Sequence, residues 1–373
     1  MSSMYLYKSL MRVSNVIVNK PLVPVLEDFL LEINDNVLKI TTSDMSTTMY
    51  SLIGLDNNFE NVKIAVPSKI LLETLKNLPE QPIELINDPL KNVLTIKSSN
   101  GKYKIMCDDP NIYPLIDVTK NGSEMTISAE KLIDSIENTI IVASNDSLKP
   151  VINSILFEVN NNELTSVATD IHRLIKYSVK LDNCYDNIRF IVPKRSLVLL
   201  KNILNNGDVK FCITDRYIYL ESGNNVFISA LIKEEYPDYE RVIPKNYKNN
   251  LFINRLELLG ALKRLVGFTN GINFQIKFNI SKNKLTLIAE DTNSENDGIE
   301  ILDCNYDFSD IIISYNVKYL LEILQNIKTD VVMMMFSEPN ENNISNKATI
   351  IKPFKDNEPL DYDFMSLIMP IFI

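Results

Sequence analysis

The 373-residue chain contains a single histidine, His172, with Asp170 two positions before it. On an extended segment side chains alternate between faces, so the two would project to the same side. An aspartate that orients an imidazole is part of a nucleophilic triad. The nucleophile is missing, because no strained G-x-S-x-G turn is present. A polar turn and a recognition surface are the other two readings of the pair, and the absent nucleophile weighs against the hydrolytic one.

Other chemistry has little to work with. Cys107, Cys184, Cys212 and Cys304 are scattered without a C-x-x-C pair. Neither a zinc site nor a disulfide framework is expected, and isolated buried thiols in a reducing compartment are. Only 9 glycines occur, and no Gly-rich loop opens a helix to hold a phosphate, so nucleotide chemistry, cofactors and metals are not expected. No apolar run approaches the roughly 18 residues that cross a bilayer. Met1–Tyr5 lacks a basic segment followed by an apolar one. A soluble, cytoplasmic chain that meets no membrane is the expectation.

The elements that must position these residues repeat three times. A strand runs into a proline-opened or polar-opened helix at Ile64–Leu72, Phe190–Val198 and Ile312–Leu320, with Pro67, Pro193 and Tyr315 spaced by 126 and 122 residues. Leu38, Leu164 and Leu285 follow Asn-rich turns at offsets of 126 and 121, and Asp44, Asp170 and Asp291 close the strands at the same offsets. The period is far above that of solenoids, so these are repeated domains. Each unit reads as two helices and about eight strands, an α+β domain with the helices on one face of the sheets. The expected bounds are 1–121, 122–247 and 248–373.

Net charge is −10, which by itself argues against a nucleic-acid partner. Its distribution argues otherwise. The six expected helices and their ends carry +8, leaving −18 on sheets and loops, so two faces of opposite field are expected. The helix from Ala129, at −2, departs from that pattern.

Several strings resemble the bacterial DNA polymerase III beta subunit, the sliding clamp family. They are Pro24-Val25-Leu26-Glu27-Asp28-Phe29; Lys149-Pro150-Val151-Ile152-Asn153; Ala168-Thr169-Asp170-Ile171-His172-Arg173-Leu174; Tyr236-Pro237-Asp238-Tyr239-Glu240-Arg241-Val242; and Leu367-Ile368-Met369-Pro370-Ile371. The resemblance implies domains of the DNA-clamp type in a head-to-tail homodimeric ring with pseudo-sixfold symmetry. It implies a non-catalytic processivity factor that encircles double-stranded DNA without regard to sequence. Twelve helices packed at about 9–10 Å make a circle of roughly 36 Å. Less one helix diameter, a hole of roughly 26 Å remains, which admits a hydrated duplex.

The resemblance also implies a groove between the second and third domains for short peptides of the replicative polymerase, the clamp loader and repair proteins. Carried over by motif, it comprises Ile152, Thr169, Ile171, His172, Arg173, Leu174, Pro237, Arg241, Val242, Leu367, Ile368, Met369, Pro370 and Ile371, with Arg173 and Arg241 as bordering donors. Ile171 stands where the family commonly has glycine, which narrows the groove, and the ending Phe372-Ile373 replaces a basic-then-aliphatic one. Facing DNA, the expectation places Lys8, Arg12, Lys20, Lys69, Lys76, Lys149, Lys194, Arg195, Lys201, Arg255, Lys263 and Arg264. Lys20 matches a pore-side basic position of the family, and most of the others follow from helix and charge. Phe268 is the expected ring-interface position. A hydrolase built on Asp170 and His172, and a three-domain adaptor that never meets DNA, remain the alternatives.

Overall fold

The computed structural model describes residues 1–56, 60–116, 120–204, 206–245, 247–291, 295–356 and 359–372. In chain order the first repeat contains α1 (Ser3–Ser14), β1 (Asp28–Asn34), β2 (Val37–Ser43), β3 (Thr47–Gly54), β4 (Val62–Pro67), α2 (Ser68–Lys76), β5 (Glu84–Asp88), β6 (Val93–Lys97) and β7 (Lys102–Met106). The second contains β8 (Ser123–Ser128), α3 (Ala129–Ile140), β9 (Ser154–Thr169), β10 (Arg173–Pro193), α4 (Lys194–Leu200), β11 (Asp208–Ile213), β12 (Tyr217–Ser222) and β13 (Asn225–Ala230). The third contains β14 (Asn249–Asn254), α5 (Arg255–Leu265), β15 (Gln275–Ser281), β16 (Lys284–Asp291), β17 (Asn296–Asp303), β18 (Ile311–Asn316), α6 (Val317–Asn326), β19 (Val331–Phe336), β20 (Thr349–Phe354) and β21 (Tyr362–Ile368). Two helices per repeat and an α+β class match the expectation.

Local chemistry explains the repeated markers. Pro67 and Pro193 cap α2 and α4, where a fixed φ and a missing N–H cost nothing. At α6 the cap is Asn316, whose side chain accepts the N–H of Lys318 at 3.0 Å. The Asn-rich turns are left-handed: Asp35 and Asn36 between β1 and β2 have φ of 47° and 64°, and Asn283 between β15 and β16 has 57°. The aspartate marker is a turn cap at Asp44 and Asp170, and the residues that follow Asp291 lie outside the described ones. Asp44 Oδ1 accepts the N–H groups of Ser46 and Thr47 at 3.0 and 2.7 Å, and Asp170 Oδ1 accepts those of His172 and Arg173 at 3.0 and 2.8 Å.

The described residues form two compact units, which are not the sequence repeats. One comprises Met1–Ile133 and Val192–Lys233. It holds an eight-stranded antiparallel sheet in the order β4-β1-β2-β3-β13-β12-β11-β8 and a three-stranded sheet β5-β6-β7. The large sheet merges strands of two repeats, because β13 pairs with β3 from Asn225–Ser51 to Ser229–Thr47. Above it, α1 packs on β2, β3 and α2. Leu6, Leu10 and Val13 are fully buried at helical spacing while Lys8 and Arg12 face solvent.

The other unit comprises Asp134–Ile191 and Glu234–Ile373. Its six-stranded sheet runs β14-β19-β20-β21-β10-β9, and its four-stranded sheet β17-β16-β15-β18. Again two repeats share a sheet, through β10 and β21, with Arg173 opposite Ile368 and Leu174 opposite Leu367. Helix α5 packs on α6, and Phe278 meets Tyr315 edge-on at 5.2 Å in the core.

Two expectations need correction. Within their actual bounds the six helices carry +5, because Lys20, Lys201 and Lys328 lie just outside α1, α4 and α6. The thiols are not uniformly buried: Cys107 and Cys212 are, Cys304 is partly so, and Cys184 is exposed. No helix among the described residues is long and apolar enough to cross a membrane.

Candidate functional site

Asp170 and His172 do not form a hydrolytic pair. The turn from β9 to β10 breaks the strand alternation that would have aligned them. Asp170 Oδ1 is engaged by backbone N–H groups, and its Oδ2 accepts Arg173 Nε at 3.0 Å. The imidazole of exposed His172 instead stacks on Tyr319 of α6, with ring centroids 6.0 Å apart.

Arg173 also departs from its expected role as a bordering donor. It is only 6% exposed. Its Nε bonds Asp170, one terminal nitrogen bonds Glu322 Oε2 at 2.6 Å, and the other donates to the Ile141 carbonyl at 3.3 Å. The guanidinium lies 4.2 Å from the centre of the Tyr319 ring. It is a structural post whose donors are taken. Sequence reading missed Tyr319 and Glu322; their spacing of one helical turn on α6 was the available signal.

Around that post several motif segments converge. The pairing of β10 with β21 sets Leu174 beside Leu367 and Arg173 beside Ile368, all four buried. The Met369 N–H donates to the His172 carbonyl at 2.9 Å, and the Ile371 N–H to that of Ser314 at 2.8 Å. Thr169 Oγ1 donates to the Arg173 carbonyl at 2.6 Å. Tyr236, next to exposed Pro237, is buried. Burial raises its phenol above the ordinary range. Ile152 is buried ahead of β9, and Pro370 and Ile371 are half-buried. Ile171, Val242 and Met369 leave apolar surface exposed, at 63%, 56% and 43%. Arg241 is exposed and pairs with its neighbour Asp238 at 2.6 Å. Phe372 is exposed, and Ile373 lies outside the described residues.

The basic residues divide. Lys8, Arg12, Lys20, Lys76 and Lys263 are exposed. Lys69, also exposed, stands 3.7 Å from Glu27, and Lys149 stands 3.9 Å from Asp146. Arg195 pairs with Asp44 at 3.2 Å, while Lys194 and Lys201 are half-buried. Arg255 donates to the Thr329 and Leu324 carbonyls at 2.7 and 3.2 Å, so it ties down the end of α6. Arg264 forks onto Glu300 of β17 at 2.6 and 2.9 Å. That hydrogen bonding holds the Glu300 carboxyl below its usual range. Neither arginine offers a free guanidinium.

Two of the strands that end a sheet, β7 and β17, carry opposite charge. In the first unit β7 ends the three-stranded sheet and exposes Lys102, Tyr103, Lys104 and Met106. In the second unit β17 ends the four-stranded sheet and exposes Asp297, Ile299, Ile301 and Asp303. Phe268, 41% exposed, lies over Gly298 of β17, where a Cβ would stand 3.3 Å from its ring. Nearby in the chain, Ile272 is 81% exposed.

Repeated α+β domains, an aspartate committed to a turn, and exposed apolar and basic surfaces define a binding protein of the clamp fold. The chain belongs to the DNA polymerase III beta subunit family: it matches the N-terminal domain over residues 1–117, the central domain over 126–238 and the C-terminal domain over 240–371. It is 27% identical over 339 residues to the beta sliding clamp of Salmonella typhimurium, covering 90% of this chain and 91% of that one. Identity to the Escherichia coli K12 beta sliding clamp is also 27%, over 336 residues, with coverage of 90% and 91%. Among solved structures, the DNA polymerase III subunit beta of Pseudomonas aeruginosa superposes with a TM-score of 0.92 at 25% identity, covering 100% of this chain and 99% of that chain.

Proposed function

We propose that the chain is a non-catalytic DNA sliding clamp. Two copies, each of three clamp domains over 1–121, 122–247 and 248–373, close head to tail into a ring around duplex DNA. A closed ring stays on DNA because leaving requires an interface to open, so weak phosphate contacts suffice and sliding remains possible. Lys8, Arg12, Lys20, Lys69, Lys76 and Lys263 supply those contacts. The apolar rim of Ile171, Val242 and Met369 over buried Leu174, Leu367 and Ile368 takes short apolar peptides of the replicative polymerase, clamp loader and repair proteins.

One observation carries ring closure: the pair of complementary open edges. An unpaired strand edge invites another chain unless it is blunted. Here β7 carries Lys102 and Lys104, while β17 carries exposed Asp297 and Asp303, so the two edges attract each other and repel their own kind. Each copy has one of each, which makes a heterologous contact, the kind that builds a ring where the rotation between copies closes. Phe268 and the exposed face of Ile299 and Ile301 add apolar area.

Sedimentation equilibrium tests this, with twice the 42.7 kDa chain mass expected. Ile299 and Ile301 are 60% and 58% exposed, so burying each contributes about 1–2 kcal/mol. The I299D/I301D double substitution is then expected to weaken self-association by roughly 30- to 1,000-fold. Wild-type protein loaded on nicked circular DNA should remain bound and should leave once the circle is cut; equal retention on both forms refutes the clamp.

A further inference from the structure

Ile171 stands first inside the turn that joins β9 to β10, with φ of +81°. There Cβ crowds the backbone, and a β-branched side chain is among the least suited to it. Turn positions of this kind take glycine or asparagine. Burial gives no compensation, since Ile171 is 63% exposed. Nor does the turn need the side chain: it is held by Thr169 Oγ1, 3.1 Å from the Ile171 N–H, and by the Asp170 cap, contacts that glycine would keep. The corresponding turn of the first repeat has Met45 at φ +74°, also exposed but unbranched. Strain kept where neither burial nor hydrogen bonding requires it points to function. The residue stands directly before His172, whose carbonyl receives the Met369 N–H, at the rim of the proposed groove.

We propose that Ile171 is the size filter of that groove: its branched side chain takes up room beside the His172–Met369 contact and admits a leucine anchor in preference to phenylalanine. This rests on the reading of the groove as a peptide site. The experiment titrates fluorescein-labelled hexapeptides that carry two apolar anchors, each anchor being leucine or phenylalanine in turn, into wild type, Ile171→Gly and Met45→Gly. Wild type should prefer leucine at one anchor, and Ile171→Gly should shift that preference about tenfold toward phenylalanine. Met45→Gly should leave it unchanged. The Ile171→Gly thermal midpoint should be no lower than that of wild type, because relief of strain offsets the added freedom of the unfolded chain. An unchanged preference in Ile171→Gly, or a midpoint several degrees lower, overturns the filter while leaving the groove intact. Absence of binding by every peptide to every form overturns the groove reading itself, and the filter with it.

Discussion

Replacing Asp28 by asparagine should stabilise the protein, and by more as pH rises. Asp28 opens β1 and is 3% exposed, with Oδ2 buried. Its register partner is Pro67 at the end of β4, and the segment after β7 brings Asp108 to the same place through the Asp108 N–H bond to the Ala65 carbonyl at 3.0 Å. Burial first, and then the neighbouring Asp108 carboxylate, raise the Asp28 pKa from 3.8 to about 7. A folded-state pKa raised above the unfolded one means that the folded chain holds the proton more tightly. The stabilisation from that proton is fully present below the unfolded pKa and is lost as pH rises through about 7. A difference of about three pH units corresponds to roughly 4 kcal/mol. Asparagine is neutral and nearly isosteric, so Asp28→Asn should match wild type near pH 4 and exceed it by a few kcal/mol at pH 8. Urea denaturation followed by circular dichroism at pH 4.5, 6 and 8 measures the difference, and comparison at each pH cancels the titration of every other group. Asp108→Asn should lower the transition pH of the remaining carboxyl. A variant-minus-wild-type difference that does not change with pH refutes the assignment of Asp28 as the titrating group.

Arg173→Met should destabilise the protein by about 1–3 kcal/mol, because it leaves Oδ2 of the half-buried Asp170 without its guanidinium partner and removes the bond to Glu322. Arg241→Ala should cost less than about 1 kcal/mol, since its ion pair is exposed; comparable losses in chemical denaturation would show that the structural post has been misplaced. The charge reversals Lys8→Glu and Arg12→Glu on α1 should lower the yield of loading onto nicked circular DNA, while rings already loaded stay on the circle and peptide affinity stays within twofold of wild type. Unchanged loading would remove α1 from the DNA-facing surface and favour an adaptor that never meets DNA.

Much of the site was legible as local pattern. The aspartate spacing located a turn that recurs because an Asp carboxylate caps two successive N–H groups within three residues of itself. The strings around His172 and Met369 marked segments that the fold does place together. Partnership was not legible. Arg173 reads as a surface donor from its neighbours, yet its terminal nitrogen meets Glu322, 149 residues away. Arg255 and Arg264 read as part of a basic helix face, yet one holds the end of α6 and the other Glu300.

The sequence by itself determined the three repeats, the six helices, the left-handed Asn turns and the family, because helix periodicity, capping and turn chemistry act over a few residues. Only the tertiary structure decided that β3 continues into β13 and β10 into β21, so that each large sheet belongs to two repeats. It alone decided which charges are free to meet a partner and which are consumed inside the protein. Strand pairing and ion pairing depend on distance in space, and composition gives no account of that distance.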